Sequence, residues 1–285
     1  MAERTPLIGL DVGGSSVKHG LVDPNQPLDF TVQSTPINSR GTADEIISTL
    51  ADVIASHLAS APQVSRIGFG FPGPFDYKSG VSWITGLEKY EAVYGLNIGE
   101  ILRTRLGKSE LNFRFRNDAE AAIVGEANFG AGQSCSRIIG LTLGTGFGSA
   151  FTIDGRVVTS GEGVPTDGWL YPLVVSDERA DDVFSTRGLL KRFAAAGILL
   201  DRIRAADEST DEVRAVYADF GAHLGAFLRP FVQEFRADCV LVMGGIARAM
   251  PLFQTAMEAA LPQTHIEYGK LGQRAAILGA VREWI

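Results

Sequence analysis

Leu141-Thr142-Leu143-Gly144-Thr145-Gly146-Phe147-Gly148 is an apolar run that ends in glycines around a threonine. A glycine has no Cβ, so backbone N–H groups at such a turn can approach an anion closely, and the threonine hydroxyl adds one more donor. The stretch therefore predicts a strand followed by a turn that binds phosphate. Taken alone, a plain β-hairpin turn explains it equally well.

A second element of this kind opens the chain. Residues 7–22, LIGLDVGGSSVKHGLV, predict a strand, a Gly-Gly-Ser-Ser turn at residues 13–16 and a returning strand, with Asp11 beside the turn. Each such turn can hold one side of a phosphate chain. Asp11 suits hydrated magnesium, which prefers oxygen ligands and keeps several of its waters. Lys18 fits a phosphate-neutralising role and a solvent-facing position equally well.

A third element, residues 240–247 (VLVMGGIA), is an apolar strand that breaks into a Gly-Gly turn leading toward a helix. This geometry suits the adenosine end of a nucleotide, so the three elements together predict an ATP site. The predicted nucleotide-binding residues are Asp11, Gly13, Gly14, Ser15, Ser16, Lys18, Gly144, Thr145, Gly146, Gly244 and Gly245.

The three elements, in this order, resemble the superfamily of sugar kinases, actin and the large heat-shock chaperones. Between the first two lie a Phe-Pro-Gly-Pro loop at residues 71–74 and the run RNDAEAAIVGE at residues 116–126, which resemble the ROK family of repressors and sugar kinases. The resemblance implies an α/β, two-lobed actin-like ATPase (ribonuclease H-like) fold with an interlobe cleft. We expect one lobe at 1–116 plus 271–285 and the other at 117–270.

The resemblance also implies the chemistry. A sugar hydroxyl is a poor nucleophile, so a carboxylate must orient it and take its proton as the bond to phosphorus forms. Asp118 is the candidate base, at a helix start whose dipole favours the ionised carboxylate; the alternative is that Asp118 only caps that helix. Asn117 suits a sugar hydroxyl, and Gly73 and Pro74 supply a tight loop at the sugar pocket.

The sequence differs from the family pattern in the residues expected to bind the sugar. ROK sugar kinases carry Glu-x-Gly-His after the second phosphate loop and then a cysteine cluster that binds structural zinc, whereas residues 161–171 (GEGVPTDGWLY) hold neither histidine nor cysteine. We therefore expect no zinc site, since structural zinc needs about four N or S ligands. The resemblance places Asp167 and Asp181 where family glutamates bind the sugar, with Glu162 as a further contact. Asp167 could instead be only a turn former, because Thr-Asp-Gly is a common turn sequence.

Composition argues against several other classes of protein. The net charge of −7 argues against a nucleic-acid partner, whose footprint is a basic patch. Cys135 and Cys239 lie far apart, so we expect no disulfide framework. No apolar run approaches the roughly 20 residues of a membrane span, and the N-terminus lacks a signal-peptide core. We expect a cytoplasmic protein without a membrane partner, and the family implies a homodimer.

Periodicity predicts the helices. A capping box at Thr42 precedes apolar residues at helical spacing up to Leu58, and a second apolar series from Val213 to Phe235 predicts one long buried helix. His57 lies on the first stripe, where we expect a packed or rim histidine. His223 lies on the second, where we expect a satisfied core histidine.

These observations favour an ATP-dependent hexose kinase that requires Mg²⁺. Two alternatives stay open: a kinase that uses polyphosphate as its donor, as some relatives without the zinc cluster do, and a catalytically silent sugar-binding regulator. ROK repressors carry a DNA-binding domain before the first phosphate loop, and Asp11 leaves no room for one in this sequence. We therefore do not expect a repressor.

Overall fold

The computed structural model describes residues 5–201, 203 and 210–285. The chain divides into two compact units, one formed by residues up to Gly125 with Leu271–Ile285 and the other by Glu126–Lys270. The boundary falls inside a helix rather than at residue 116, the position that the sequence predicts. Elements are numbered in chain order.

The first unit is built on a five-stranded sheet in the order β3-β2-β1-β4-β7. β2 is antiparallel to β1 and β3, whereas β1, β4 and β7 run parallel. The strands are β1 (Leu7–Val12), β2 (Ser16–Val22), β3 (Gln33–Pro36), β4 (Arg66–Phe71) and β7 (Asn112–Asn117), with a small ladder of β5 (Phe75–Asp76) and β6 (Val81–Ser82); the helices are α1 (Ala43–Ser60), α2 (Ile98–Leu106), α3 (Asp118–Phe129) and α8 (Arg274–Val281).

The second unit repeats this plan with a sheet in the order β10-β9-β8-β13-β14. Here too an antiparallel meander, β8 to β10, is followed by two parallel strands. The strands are β8 (Arg137–Leu143), β9 (Phe147–Ile153), β10 (Arg156–Val158), β13 (Cys239–Met243) and β14 (His265–Tyr268), with a small ladder of β11 (Val174–Val175) and β12 (Glu178–Arg179); the helices are α4 (Ala180–Phe184), α5 (Thr186–Ala195), α6 (Asp211–Phe235) and α7 (Met250–Ala260).

The predicted helices are confirmed, and their buried stripes explain them. Thr42 accepts a hydrogen bond from the N–H of Glu45, whose side chain accepts one from the N–H of Thr42, so the capping box fixes the start of α1. α6 buries Phe220, Leu224 and Leu228 among other apolar side chains in the core of the second unit. Within the described residues, no helix is long and apolar enough to cross a membrane.

His223 does not lie in the core, so this prediction is wrong. Its side chain is 50% exposed and its Nδ1 lies 3.4 Å from the carboxylate of Asp219. Because each residue advances about 100° around a helix, His223 falls beside the buried row that Phe220 and Leu224 define. The apolar series indicates the helix correctly but not the exact edge of its buried face.

His57, by contrast, is buried and bonded. Its Nε2 lies 2.8 Å from Nδ1 of His19 on β2, and Nε2 of His19 lies 3.0 Å from the hydroxyl of Thr35. Burial, reinforced by the nearby His19, lowers the pKa of His57 from 6.5 to about 4. Burial also lowers the pKa of His19. The folded first unit therefore holds both rings neutral.

This pair predicts acid sensitivity. A histidine with a lowered pKa binds its proton more readily in the unfolded chain, so its contribution to stability is present above pH 6.5 and is lost as the pH falls toward 4. We expect the free energy of unfolding to fall by about 2 kcal/mol over this range after allowance for solvent screening. Urea unfolding at pH 7, 5.5 and 4.5 measures it. A His57→Gln variant should lose most of this dependence, whereas a His265→Gln control at an exposed position should keep it. Equal pH dependence in wild type and His57→Gln would contradict the prediction.

Candidate active site

The turn at residues 13–16, here the first glycine turn, has its carbonyl groups bound to neighbouring segments. Those of its first three residues accept hydrogen bonds from the hydroxyl of Tyr90 (2.5 Å), the hydroxyl of Ser39 (2.5 Å) and the N–H of Ile37 (3.1 Å). Across the described chain, the N–H groups of the two central residues of the turn have no hydrogen-bond partner. Carbonyls directed away and amides left open are the arrangement of a backbone anion site.

Asp11 lies on β1 directly before this turn. Its Oδ2 is 3.2 Å from Nζ of Lys18 on β2, and both side chains are largely covered. Burial raises the pKa of Asp11, and the ammonium of Lys18 opposes that shift. The structure thus gives Lys18 a role that the sequence did not show, as the ion-pair partner of the carboxylate beside the turn.

Asp118 is the first residue of α3 and follows β7 without a break. The helix is capped by Asn117, whose Oδ1 accepts the N–H of Glu120 at 3.1 Å. Asp118 accepts the N–H of Ala119 at 2.8 Å through Oδ1. The alternative role of helix cap therefore belongs to Asn117, and the second carboxylate oxygen of Asp118 is not used in capping.

The pKa of Asp118 is raised, contrary to what the helix dipole alone predicts. Desolvation is the largest cause and the nearby Asp11 adds to it, while the N–H of Ala119 and the charge of Lys89 act in the other direction. Burial raises the pKa of Tyr90, and the nearby charges of Asp11 and Asp118 raise it further. The two carboxylates and the tyrosine that holds the first glycine turn therefore share one environment.

The loop after β4 lies beside Asn117. Gly73 and Pro74 are joined by a cis peptide. A Cβ on Gly73 would lie 3.0 Å from the hydroxyl of Tyr77, and Nδ2 of Asn117 donates to that same hydroxyl at 3.2 Å. The structure thus brings together three of the residues predicted to bind sugar, Gly73, Pro74 and Asn117.

The second glycine turn, residues 144–146, connects β8 and β9 in the second unit. Its first N–H donates to the carbonyl of Gly146 at 3.0 Å, and the N–H groups of Thr145 and Gly146 have no partner among the described residues. Gly245 of the third glycine turn, residues 244–245, is adjacent, since a Cβ on Gly144 would lie 4.0 Å from its nitrogen. These two predicted nucleotide elements therefore lie side by side.

The three carboxylates predicted to grip the sugar are placed differently. Asp181 lies in α4, and its Oδ1 accepts the N–H of Phe147 at 2.7 Å. Glu162 and Asp167 are exposed, and no described residue forms a hydrogen bond with either side chain. Asp167 adopts φ +57° in a 3-10 turn at Thr166–Gly168, a conformation that suits the turn-former alternative.

Sequence reasoning did not find Tyr90, Ser39, Lys89 or Tyr77. Tyr90 and Gly13 are 77 positions apart, and neither belongs to a motif that indicates the other. An aromatic residue at a buried position is ordinarily core packing, so no sequence signal separated Tyr90 from its neighbours. Within the described ranges, no group of three or more His, Cys, Asp or Glu side chains could hold a metal ion.

Comparison with known proteins agrees with this architecture. The fold is that of the actin-like ATPase class, which includes sugar kinases. The family model of the ROK family matches residues 7–168, more than half of the sequence, and the chain belongs to the ROK family.

Three relatives define what the chain resembles. It is 29% identical to a glucokinase of Thermotoga maritima over 193 residues, 68% of this chain and 58% of that enzyme. It thus spans less than two thirds of that relative's length. Its structure is similar to the inorganic polyphosphate/ATP-glucomannokinase of Arthrobacter sp. strain KM (TM-score 0.71, 25% identity, 99% and 98% of the two chains). It is also similar to a ROK family glucokinase of Streptomyces griseus in complex with glucose and AMPPNP (TM-score 0.74, 23% identity, 98% of each chain).

The backbone conformation of the third glycine turn can be tested by substitution. Gly244 has φ +101°, and a Cβ there would collide with the backbone of Leu143, whereas Gly245 has φ −66° and open space. Gly244→Ala should lower the free energy of unfolding by about 2 kcal/mol or more. The matched Gly245→Ala should change it by less than about 0.5 kcal/mol. Urea unfolding compares the two, and equal losses would contradict this account of the turn.

Proposed function

We propose that the protein is a sugar kinase that transfers the terminal phosphoryl group of ATP to a hydroxyl of a hexose or related sugar, with Asp118 as the general base. One observation carries this proposal: Asp118 begins α3 beside the strands that hold Asp11, since Gly70 pairs with Asp11 and a Cβ on Gly70 would lie 3.6 Å from the Cα of Asp118. Tyr90 holds the first glycine turn, which follows Asp11. The ROK family membership supports the same class of reaction.

The chemistry follows from the environment of Asp118. The sugar oxygen attacks the terminal phosphorus, the proton of its hydroxyl passes to the carboxylate of Asp118, and the bond from phosphorus to the bridging oxygen breaks to release ADP. A raised pKa makes the carboxylate a stronger base, and the positive charge of Lys89 favours its ionised form. Burial and a nearby cation together suit Asp118 to take the proton of a bound hydroxyl.

The donor set around Asp11 fits magnesium bound mainly through phosphates. Magnesium usually takes one or two protein carboxylates and completes its shell with water and phosphate oxygens, and Asp11 offers one carboxylate beside the open amides of the first glycine turn. Bound there, magnesium would neutralise charge on the phosphate oxygens. We assign the second and third glycine turns to the phosphates and the adenosine of the nucleotide.

The sugar contacts that the geometry supports best are Asn117, Gly73 and Pro74. The amide of Asn117 already bonds Tyr77 and the start of α3, so its orientation is fixed before a ligand binds. Glu162 and Asp167 remain predictions, as do a cytoplasmic location and a homodimer.

The identity of the phosphoryl donor distinguishes an ATP-dependent kinase from the first alternative, a polyphosphate-dependent kinase. The Arthrobacter relative is named for both polyphosphate and ATP, so a coupled assay should run the two donors in parallel. Glucose, mannose, N-acetylglucosamine and N-acetylmannosamine form the acceptor panel. We expect turnover with ATP and at least one of these sugars. Sugar binding without turnover from either donor would indicate the silent regulator instead.

Replacing the base tests its role. Asp118→Asn should lower kcat by roughly two to four orders of magnitude, because the amide cannot take the proton, while ATP binding stays nearly unchanged. Glu120→Gln, two residues later on α3, is the matched control and should stay within about threefold of wild type. Near-normal turnover by a folded Asp118→Asn protein would rule out Asp118 as the base.

Metal dependence tests the role of Asp11. EDTA should abolish turnover and added magnesium should restore it, and Asp11→Asn should raise the magnesium concentration for half-maximal rate by about tenfold, since one charged ligand is lost. The exposed Asp29→Asn serves as control. Elemental analysis should find no stoichiometric zinc in the purified protein. An unchanged magnesium requirement in Asp11→Asn, or one bound zinc per chain, would contradict these assignments.

A further inference from the structure

The junction of α4 and α5 holds both ends of the second glycine turn. At one end, Asp181 accepts the N–H of Phe147 at 2.7 Å. At the other, the N–H and the hydroxyl of Thr186 donate to the carbonyl of Gly144 at 2.8 and 2.9 Å. Three hydrogen bonds from one short segment therefore fix the turn on both sides.

Both oxygens of the Asp181 carboxylate are used in this arrangement. Oδ1 takes the N–H of Phe147, and Oδ2 lies 2.6 Å from the guanidinium of Arg187, which also bonds Asp182 at 3.1 Å. The side chain of Asp181 is only 26% exposed. A Cβ added to Gly146 would lie 3.3 Å from Oδ1, so the carboxylate lies directly against the turn.

The charge of this carboxylate would repel a phosphate if it were unpaired. Arg187 compensates it, and charge-assisted hydrogen bonds of this kind are roughly twice as strong as neutral ones. The turn thus gains a strong acceptor for Phe147 whose charge is offset by the adjacent guanidinium of Arg187. The N–H groups of Thr145 and Gly146 remain open, which is what a phosphate oxygen requires.

We propose that Asp181 is a positioning residue of the phosphate-binding turn and not a sugar ligand. The inference rests on the proposed function, since it assigns the turn to the phosphates of the nucleotide. Asp181 and Thr186 hold the loop in the conformation that presents Thr145 and Gly146, and Arg187 offsets the charge of Asp181. Because Oδ1 bonds the N–H of Phe147 and Oδ2 bonds Arg187, we assign Asp181 this role in place of the sugar contact that the family resemblance implies.

Calorimetry with AMPPNP and magnesium, and separately with the preferred sugar of the panel, tests this role. Asp181→Ala should raise the Kd for AMPPNP by about tenfold or more, because a charged hydrogen bond that orders the turn is lost. Its Kd for the sugar should stay within about twofold of wild type. Asp181→Asn keeps an acceptor for the N–H of Phe147, so its Kd for AMPPNP should lie between those of wild type and Asp181→Ala. Asp182→Ala, which also contacts Arg187 but not the turn, should bind both ligands as wild type does.

A second readout needs no ligand. Hydrogen exchange of the peptide that contains Phe147 should accelerate about tenfold or more in Asp181→Ala and not in Asp182→Ala, since only the first variant frees that N–H. Unchanged exchange overturns the inference even where the kinase assay succeeds. A raised sugar Kd with an unchanged AMPPNP Kd, or an equal loss of both, overturns it as well. Failure of the proposed function itself is separate, because wild type would then transfer no phosphoryl group to any sugar of the panel, whereas the exchange of the Phe147 peptide is compared without any ligand.

Discussion

The close approach of α8 to the sheet and to α3 is the constraint on which the first unit depends. A Cβ on Gly9 of β1 would lie 2.6 Å from Ile277 of α8, and Cβ atoms on Gly125 and Gly279 would collide with the backbones of α8 and α3. Glycine at these positions lets backbone pack against backbone, where any side chain would force the helices apart. Because α3 is held in this way, its first residue, Asp118, has a fixed position.

That fixed position sets the electrostatics of Asp118. A carboxylate at a helix N-terminus is ordinarily stabilised in its ionised form, yet desolvation beside Asp11 outweighs this effect and raises the pKa of Asp118. Among the described residues Asp118 has no ion-pair partner, whereas Asp11 pairs with Lys18. Burial destabilises the ionised form of a carboxylate that has no strong partner for its charge. Binding a proton removes this desolvation penalty, which makes the carboxylate a stronger base.

The two glycine turns that follow β1 and β8 have similarly exposed backbone N–H groups but are held by different hydrogen bonds. In each turn carbonyl groups accept hydrogen bonds, while two N–H groups have no partner among the described residues. The first turn uses Tyr90, Ser39 and Ile37, which come from distant segments. The second uses Asp181 and Thr186 from one helix junction. The shared sheet plan therefore does not dictate the supporting contacts, which come from different segments in the two units.

The sequence by itself determined the helices, most strands, the three glycine turns and the junction where Asp118 begins α3. These features are local: burial repeats with period 2 or 3.6, and caps and turns involve neighbouring residues. Only the tertiary structure decided that Tyr90 reaches Gly13, that Asn117 rather than Asp118 caps α3, that Asp181 faces Phe147, and that His223 is exposed. In each case one polar group could serve several partners, and packing between segments far apart in sequence selects among them. No local pattern carries that information, because it depends on which segments the sheet places side by side.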